Sequence, residues 1–90
     1  MSVEMRNREE VAHLIGERVR EVRTARRYSQ EKLGRVTGLS RETIRKIEAG
    51  ETLPEVTTLD VLAQGLEVPL TLLVDWATGL YLNALDALVA

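Results

Sequence analysis

Cysteine is missing from this 90-residue chain, and histidine occurs once, at His13. Neither a disulfide nor a thiolate metal site can form, and one imidazole makes no histidine pair, so no structural metal and no cofactor are expected. His13 itself reads as an ordinary surface or packing residue. Aromatics are scarce: Tyr28, Trp76 and Tyr81 are the whole set, too few for a surface that stacks single-stranded bases. No uninterrupted apolar run reaches the roughly 18 residues of a transmembrane helix, and the opening MSVEMRNREE lacks the apolar centre of a signal peptide. A cytoplasmic protein with no membrane partner is expected. Catalysis lacks its parts as well. No nucleophile has an evident histidine base, no glycine-rich phosphate loop is present, and the scattered carboxylates read as solvated helix faces, so the chain is not expected to be an enzyme.

The second half of the chain has no basic residue. All 12 Lys and Arg residues fall between Arg6 and Lys46, where Met1 to Lys46 holds 7 acidic residues, whereas Ile47 to Ala90 holds 7 acidic residues and no basic one. A net charge of -2 therefore hides a balance of +5 followed by one of -7. Binding to a polyanion follows the local field at the contact surface and not the global sum, so the acidic total does not exclude a nucleic-acid partner. The plainer reading is two ordinary solvated faces. With 44% hydrophobic residues, the chain is read as one small domain spanning residues 1–90. A domain of this size buries only about 60 to 65% of its unfolded surface, so a partner subunit would help it.

The stretch Ser29 to Gly50, SQEKLGRVTGLSRETIRKIEAG, is the most informative. Ser29 is a good N-cap for a helix from Gln30 to about Thr37, because its hydroxyl can accept from a free N–H of the first turn. Leu33 and Val36 share a face at i, i+3. Gly38 is a candidate stop, since glycine takes the left-handed conformation without steric cost. Leu39 is apolar and Ser40 is a second cap, so a second helix is expected from Arg41 to about Ala49, with Ile44 and Ile47 inward and Gly50 closing it. Gly34 costs about 1 kcal/mol relative to alanine in a helix interior. Its reading is close packing where the two helices cross; a merely tolerated glycine is the alternative.

Around this motif the periodicity predicts three more helices. Arg8 to Arg26 carries Val11, Ile15, Val19 and Val22 at helical spacing, and Tyr28 packs just before the Ser29 cap. GETLPE is a loop, because Pro54 discourages helix before it has passed. Val56 to Leu66 presents Leu59, Leu62, Ala63 and Leu66 on one side, and Pro69 sits in the first turn of a helix from Leu70 to about Thr78. The tail LYLNALDALVA reads as a sixth helix whose stripe has little core left to cover. Self-association through Trp76, Tyr81, Leu82, Leu85, Leu88 and Val89 is the preferred reading, and folding back onto the first and fifth helices is the other.

These residues resemble the phage repressor and Cro-type (XRE-like) helix-turn-helix family, from about Ile15 to Leu73. Ile15, Val19, Val22 and Arg23 match its first helix, and Ser29, Gln30 and Leu33 its second. Gly38, Leu39, Ser40, Thr43, Ile44, Ile47, Glu48 and Gly50 match the turn and recognition helix, and Pro54, Leu59, Leu62, Ala63, Leu66, Val68 and Leu72 match the last two helices. The resemblance implies an all-α, five-helix repressor-like DNA-binding domain, here with a sixth C-terminal helix. Four positions depart from the pattern. The family usually has alanine where Gly34 stands and glycine where Arg27 and Glu67 end the first and fourth helices, so those ends are expected to be strained or differently capped. Glu51 stands where many members carry a basic residue near the DNA backbone.

By the resemblance, the second motif helix lies in the major groove with its N-terminal half nearest the bases. Arg41, Glu42 and Lys46 then occupy reading positions. Arg41 can fork onto the O6 and N7 acceptors of guanine and Glu42 can accept from a cytosine amino group. Glu42 is equally readable as an i, i+3 or i, i+4 partner of Arg45 or Lys46. Thr43 is assigned to a thymine methyl or a phosphate, and Arg45 to the backbone. Gln30 resembles the family residue that holds a phosphate and steadies the reading side chains, while Ser40 and the N–H groups opening both helices add dipolar attraction. Lys32 and Arg35 are further phosphate candidates, or solvated surface residues. Arg23 and Glu48 match an ion pair that joins the first helix to the end of the recognition helix.

The function expected from all this is a sequence-specific double-stranded DNA-binding transcriptional regulator. It would act as a homodimeric repressor on a palindromic operator, in the cytoplasm in association with the nucleoid. An antitoxin is the alternative: it keeps the fold, takes a protein toxin as principal partner, and binds DNA to autoregulate its operon.

Overall fold

A computed structural model describes residues 6–75. They form five helices: α1 (Arg8–Ala25), α2 (Gln30–Thr37), α3 (Arg41–Glu48), α4 (Val56–Leu66) and α5 (Leu70–Val74). Trp76, Tyr81, Leu82, Leu85, Leu88, Val89 and the expected sixth helix lie outside the described residues.

Short polar side chains start the first three helices. The amide oxygen of Asn7 accepts from Glu10 N–H at 2.8 Å, Ser29 Oγ accepts from Lys32 N–H at 2.9 Å, and Ser40 Oγ accepts from Thr43 N–H at 3.0 Å. Each cap satisfies one backbone donor that its own helix leaves unpaired. Gly38, left-handed at φ 77°, ends α2 with its N–H on Gly34 O at 2.8 Å. The ends of α1 and α4 use the same left-handed turn without glycine, at Arg27 (φ 60°) and Glu67 (φ 58°). Their closing bonds run from Tyr28 N–H to Arg23 O (3.1 Å) and from Val68 N–H to Ala63 O (3.0 Å). A side chain in this conformation costs roughly 1–2 kcal/mol. Arg26 joins the two strained ends by donating to Glu67 O at 2.9 Å.

One apolar cluster holds the helices together: Ile15, Val19 and Val22 of α1, Leu33 of α2, Ile44 and Ile47 of α3, Leu59, Leu62, Ala63 and Leu66 of α4, and Leu72 and Leu73 of α5. α1 packs on α3, α4 and α5, and α2 packs on α3 and α4. Val36 departs from the face expected of it. It is 50% exposed, because a helix as short as α2 turns only Leu33 fully inward and leaves Val36 at the rim beside Gly65.

Arg18 is the buried residue that apolar patterning overlooks. At 1% exposure its guanidinium donates from Nη1 to Leu72 O (2.6 Å) and from Nη2 to Asp75 O (2.9 Å). Nε makes no hydrogen bond, though Glu21 Oε2 stands 3.6 Å away. Terminal carbonyls of a helix have no partner within it, and Arg18 supplies one by fastening the end of α5 to α1. Two details of α5 differ from expectation. Pro69 is its N-cap and not a residue of its first turn, and the helix stops at Val74, short of Thr78, because Asp75 is extended (φ -89°, ψ 115°).

Candidate nucleic-acid interface

Two glycines set where α3 lies. A Cβ on Gly34 would stand 2.8 Å from Leu39 O, so the turn between α2 and α3 presses directly onto the α2 backbone. A Cβ on Gly16 would overlap the carbonyl oxygens of Ile47 and Glu48, so the end of α3 rests on the backbone of α1. Ile44 and Ile47 are buried to 0% and 2% exposure, which turns the opposite face of α3 outward. Arg41, Glu42, Arg45 and Lys46 are exposed on it. Thr43 is half-buried, with its hydroxyl 2.8 Å from Ser40 Oγ.

The inner end of α3 carries a buried ion pair. Arg23 donates from Nε to Glu48 Oε2 (2.6 Å), from Nη2 to Glu48 Oε1 (3.0 Å) and from Nη1 to Tyr28 O (2.7 Å). The side chains are 12% and 4% exposed. Glu48 Oε1 also accepts from Gln30 Nε2 at 3.1 Å. One carboxylate thus ties together α1, the first residue of α2 and the last turn of α3, and it fixes the amide of Gln30. A planar fork on a carboxylate constrains direction as well as distance, so this contact sets the angle at which α3 leaves the domain.

The outer face carries a second Arg–Glu assembly. Arg45 donates from Nε to both carboxylate oxygens of Glu42 (3.0 and 3.1 Å) and from Nη2 to Oε1 (2.7 Å). Its Nη1 donates to Glu51 Oε2 at 2.8 Å. The hydrogen bond from Arg45 is the main reason the Glu42 carboxyl titrates below its ordinary value, and the two carboxylates raise the pKa of Arg45. Of the two readings open for Glu42, partnership with Arg45 is the one this geometry contains. Glu51 reaches back because Gly50 is left-handed (φ 73°) and Glu51 N–H closes onto Lys46 O at 2.9 Å.

The remaining candidates divide among three places. Arg35, Ser40 and Arg41 border one shallow depression with Glu31, Gly34, Gly38 and Leu39. Gln30, Arg45, Arg23 and Glu48 border another of ≈ 240 Å³, completed by Arg20 and Ala49. Lys32 leans over the Tyr28 ring, its Nζ 4.3 Å from the centroid. Arg20 and the reach of Glu51 escaped the sequence reading. Their only local signals are a basic residue one turn before Arg23 and a left-handed glycine just after α3. His13 is exposed beside Glu17, with 3.0 Å between Nε2 and Oε1. No helix among the described residues is long and apolar enough to cross a membrane, and no group of His, Cys, Asp or Glu among them can hold a metal ion.

Two short capped helices joined by a glycine turn, with the second lodged by its inner face against α1 and its charged face outward, define a helix-turn-helix DNA-binding domain. The chain belongs to the helix-turn-helix family HTH_3, whose model matches residues 19–73. It is a DNA-binding transcription regulator. Among solved structures it is similar to the restriction-modification controller protein C.AhdI from Aeromonas hydrophila, at 32% identity, with a TM-score of 0.67 over 69% of this chain and 94% of that one. It is also similar to an HTH_3 family transcriptional regulator from Vibrio cholerae, at 27% identity and TM-score 0.73, covering 74% of this chain and 38% of that one. The fold is shared with the hypothetical transcription factor NHTF from Neisseria, at 21% identity and TM-score 0.70, covering 83% of this chain and 86% of that one. No curated protein matches the chain significantly.

Proposed function

We propose that the protein is a homodimeric repressor that inserts α3 into the major groove of a palindromic operator. The carrying observation is the two-sidedness of α3, with Ile44, Ile47 and Glu48 locked inward while Arg41 and Lys46 are presented to solvent. Arg41 reads a base, with Glu42, Thr43 and Lys46 at the neighbouring reading positions, and Gln30, Ser40, Lys32, Arg35 and Arg45 meet the phosphates. Two α3 helices would enter half-sites about 34 Å apart, one turn of the duplex. The apolar stripe of Trp76, Tyr81, Leu82, Leu85, Leu88 and Val89 joins the two copies.

Selection of bound sites from random duplex, followed by a salt titration on the winner, tests this reading. Palindromic half-sites are expected, with a log–log salt slope near about -5 if about six phosphates are neutralised. Arg41→Ala should weaken operator binding by about 1–3 kcal/mol and relax preference at one base pair. A uniform loss over all sequences would make Arg41 a phosphate contact instead. Light scattering on the purified chain should give a dimer.

The similarity to C.AhdI supports a narrower version, because it extends over 94% of that controller at 32% identity. In it, the operator lies upstream of restriction-modification genes. Binding of the purified chain to its own upstream region, with such genes following it, is the expected outcome.

A further inference from the structure

Arg45 is a cation on the outer face of α3 whose three guanidinium nitrogens all contact carboxylate oxygens before any DNA arrives. Glu42 accepts at Nε and Nη2, and Glu51 accepts at Nη1, at 2.7–3.1 Å. A phosphate presents the same paired-oxygen geometry to a guanidinium as a carboxylate does, so the two are direct competitors for this fork. On its other side Arg45 borders the depression lined by Arg20, Arg23, Gln30, Glu48 and Ala49, where Glu48 is already held by Arg23 and Gln30 and Arg20 adds a second cation. Glu51 is not a loosely placed loop residue. The left-handed Gly50 and the bond from Glu51 N–H to Lys46 O (2.9 Å) fix its backbone against the end of α3.

Resting on the operator-binding reading above, we propose that Glu51, with Glu42, competes with DNA phosphate for the Arg45 guanidinium and so lowers the protein's affinity for duplex. Affinity for duplex of any sequence comes mostly from cations that displace counterions from phosphates. Withholding one such cation weakens binding everywhere. The three side chains are exposed (44%, 60% and 50% for Arg45, Glu42 and Glu51), and exposed pairs are held weakly enough for a well-placed phosphate to displace them. An operator engaged in register brings a phosphate to the depression and recovers Arg45. A random duplex, engaged loosely, does not, so there the cation stays withheld, whereas on the operator the contact forms at the cost of the displaced carboxylates.

The test uses the full chain as wild type, Glu51→Gln, Arg45→Gln and the double variant, with anisotropy titrations on a labelled random-sequence duplex and on the selected operator over a range of salt. Glu51→Gln should bind the random duplex several-fold tighter at low salt, with a slope steeper by about 0.9 per protomer, the value of one added phosphate contact. Its gain on the operator should be at least as large, because there the wild-type chain already breaks the clamp to form its contact. In the Arg45→Gln background the Glu51→Gln effect should vanish. An effect that persists undiminished there means simple repulsion between Glu51 and DNA and overturns the proposal, as does an unmoved slope. Without DNA, a carbon-13 NMR titration should show the Glu42 carboxyl rising toward its ordinary value in Arg45→Gln. An ordinary value already in the wild type overturns the clamp. Should the wild-type chain bind no duplex at any salt, the operator reading falls and takes the proposal with it, whereas operator binding with an unmoved Glu51→Gln slope removes the proposal alone.

Discussion

The inner and outer faces of α3 each hold an arginine forked onto glutamate, and the two assemblies do opposite things. Arg23 and Glu48 are 12% and 4% exposed and draw in Tyr28 O and Gln30, while Arg45, Glu42 and Glu51 are 44–60% exposed and touch no other element's core. Similar donor and acceptor groups at similar distances thus differ in burial and in what else they bind. In the buried pair neither charge has water to fall back on, so the contact dictates where α3 stands. In the exposed set water competes at every oxygen, so geometry gains little and the local charge presented to a ligand is what changes. Burial converts an ion pair from a tunable charge into a fixed joint.

Breaking the buried side should have the largest effect. Glu48→Ala strands Arg23 and releases Gln30, and denaturant unfolding should show a loss of about 3–5 kcal/mol. A loss below about 1 kcal/mol, the range of an exposed pair, would erase the distinction between the faces. Next in size is Gly16→Ala, whose methyl meets the carbonyls of Ile47 and Glu48. Overpacking of this kind costs about 1–3 kcal/mol, and α3 should shift on α1, which amide chemical shifts along Arg41–Glu48 would report. Smaller and opposite in sign are Arg27→Gly and Glu67→Gly, which relieve the left-handed strain at the ends of α1 and α4. After the entropy that glycine loses on folding, each should raise stability by about 0.5–1 kcal/mol.

The exposed side should respond least, and to pH. Because Arg45 holds the Glu42 carboxyl below its ordinary value, the pair's contribution to stability is complete above the unfolded-state pKa and disappears as pH falls through the folded one. Comparing wild type with Glu42→Gln by thermal unfolding, the small gap seen near neutrality should close in acid. A gap that grows in acid would reverse the sign and contradict the pairing.

Much of the helix-turn-helix is legible in one dimension because its rules are local. Ser29 and Ser40 cap residues three positions away, Gly38 turns the chain at its own φ, and Leu33, Ile44 and Ile47 reveal their faces by spacing. The left-handed ends at Arg27 and Glu67 are visible only through the family resemblance, as missing glycines. Arg18 is not, although it lies i+3 from Ile15 and i-4 from Val22 on the stripe that turns inward. Patterning treats a charge as solvated by default, and the carbonyl that draws Arg18 inward lies 54 positions along the chain. Gly16 had a faint signal in Ala12 four residues earlier, a pair of small residues on one face.

The order of short helices, their caps and the concentration of positive charge before Ile47 follow from the sequence alone, since each depends on neighbours within a turn of helix or on a count. The tertiary structure alone selects the long side chains that meet without a spacing or a resemblance to announce them. Arg18 reaches Leu72 O across 54 positions, and Glu51 turns back to add a second carboxylate to Arg45. Chain separation carries no information about those distances. A flexible charged side chain settles wherever the packed backbone leaves an acceptor within about 3 Å, and only the assembled fold defines that place.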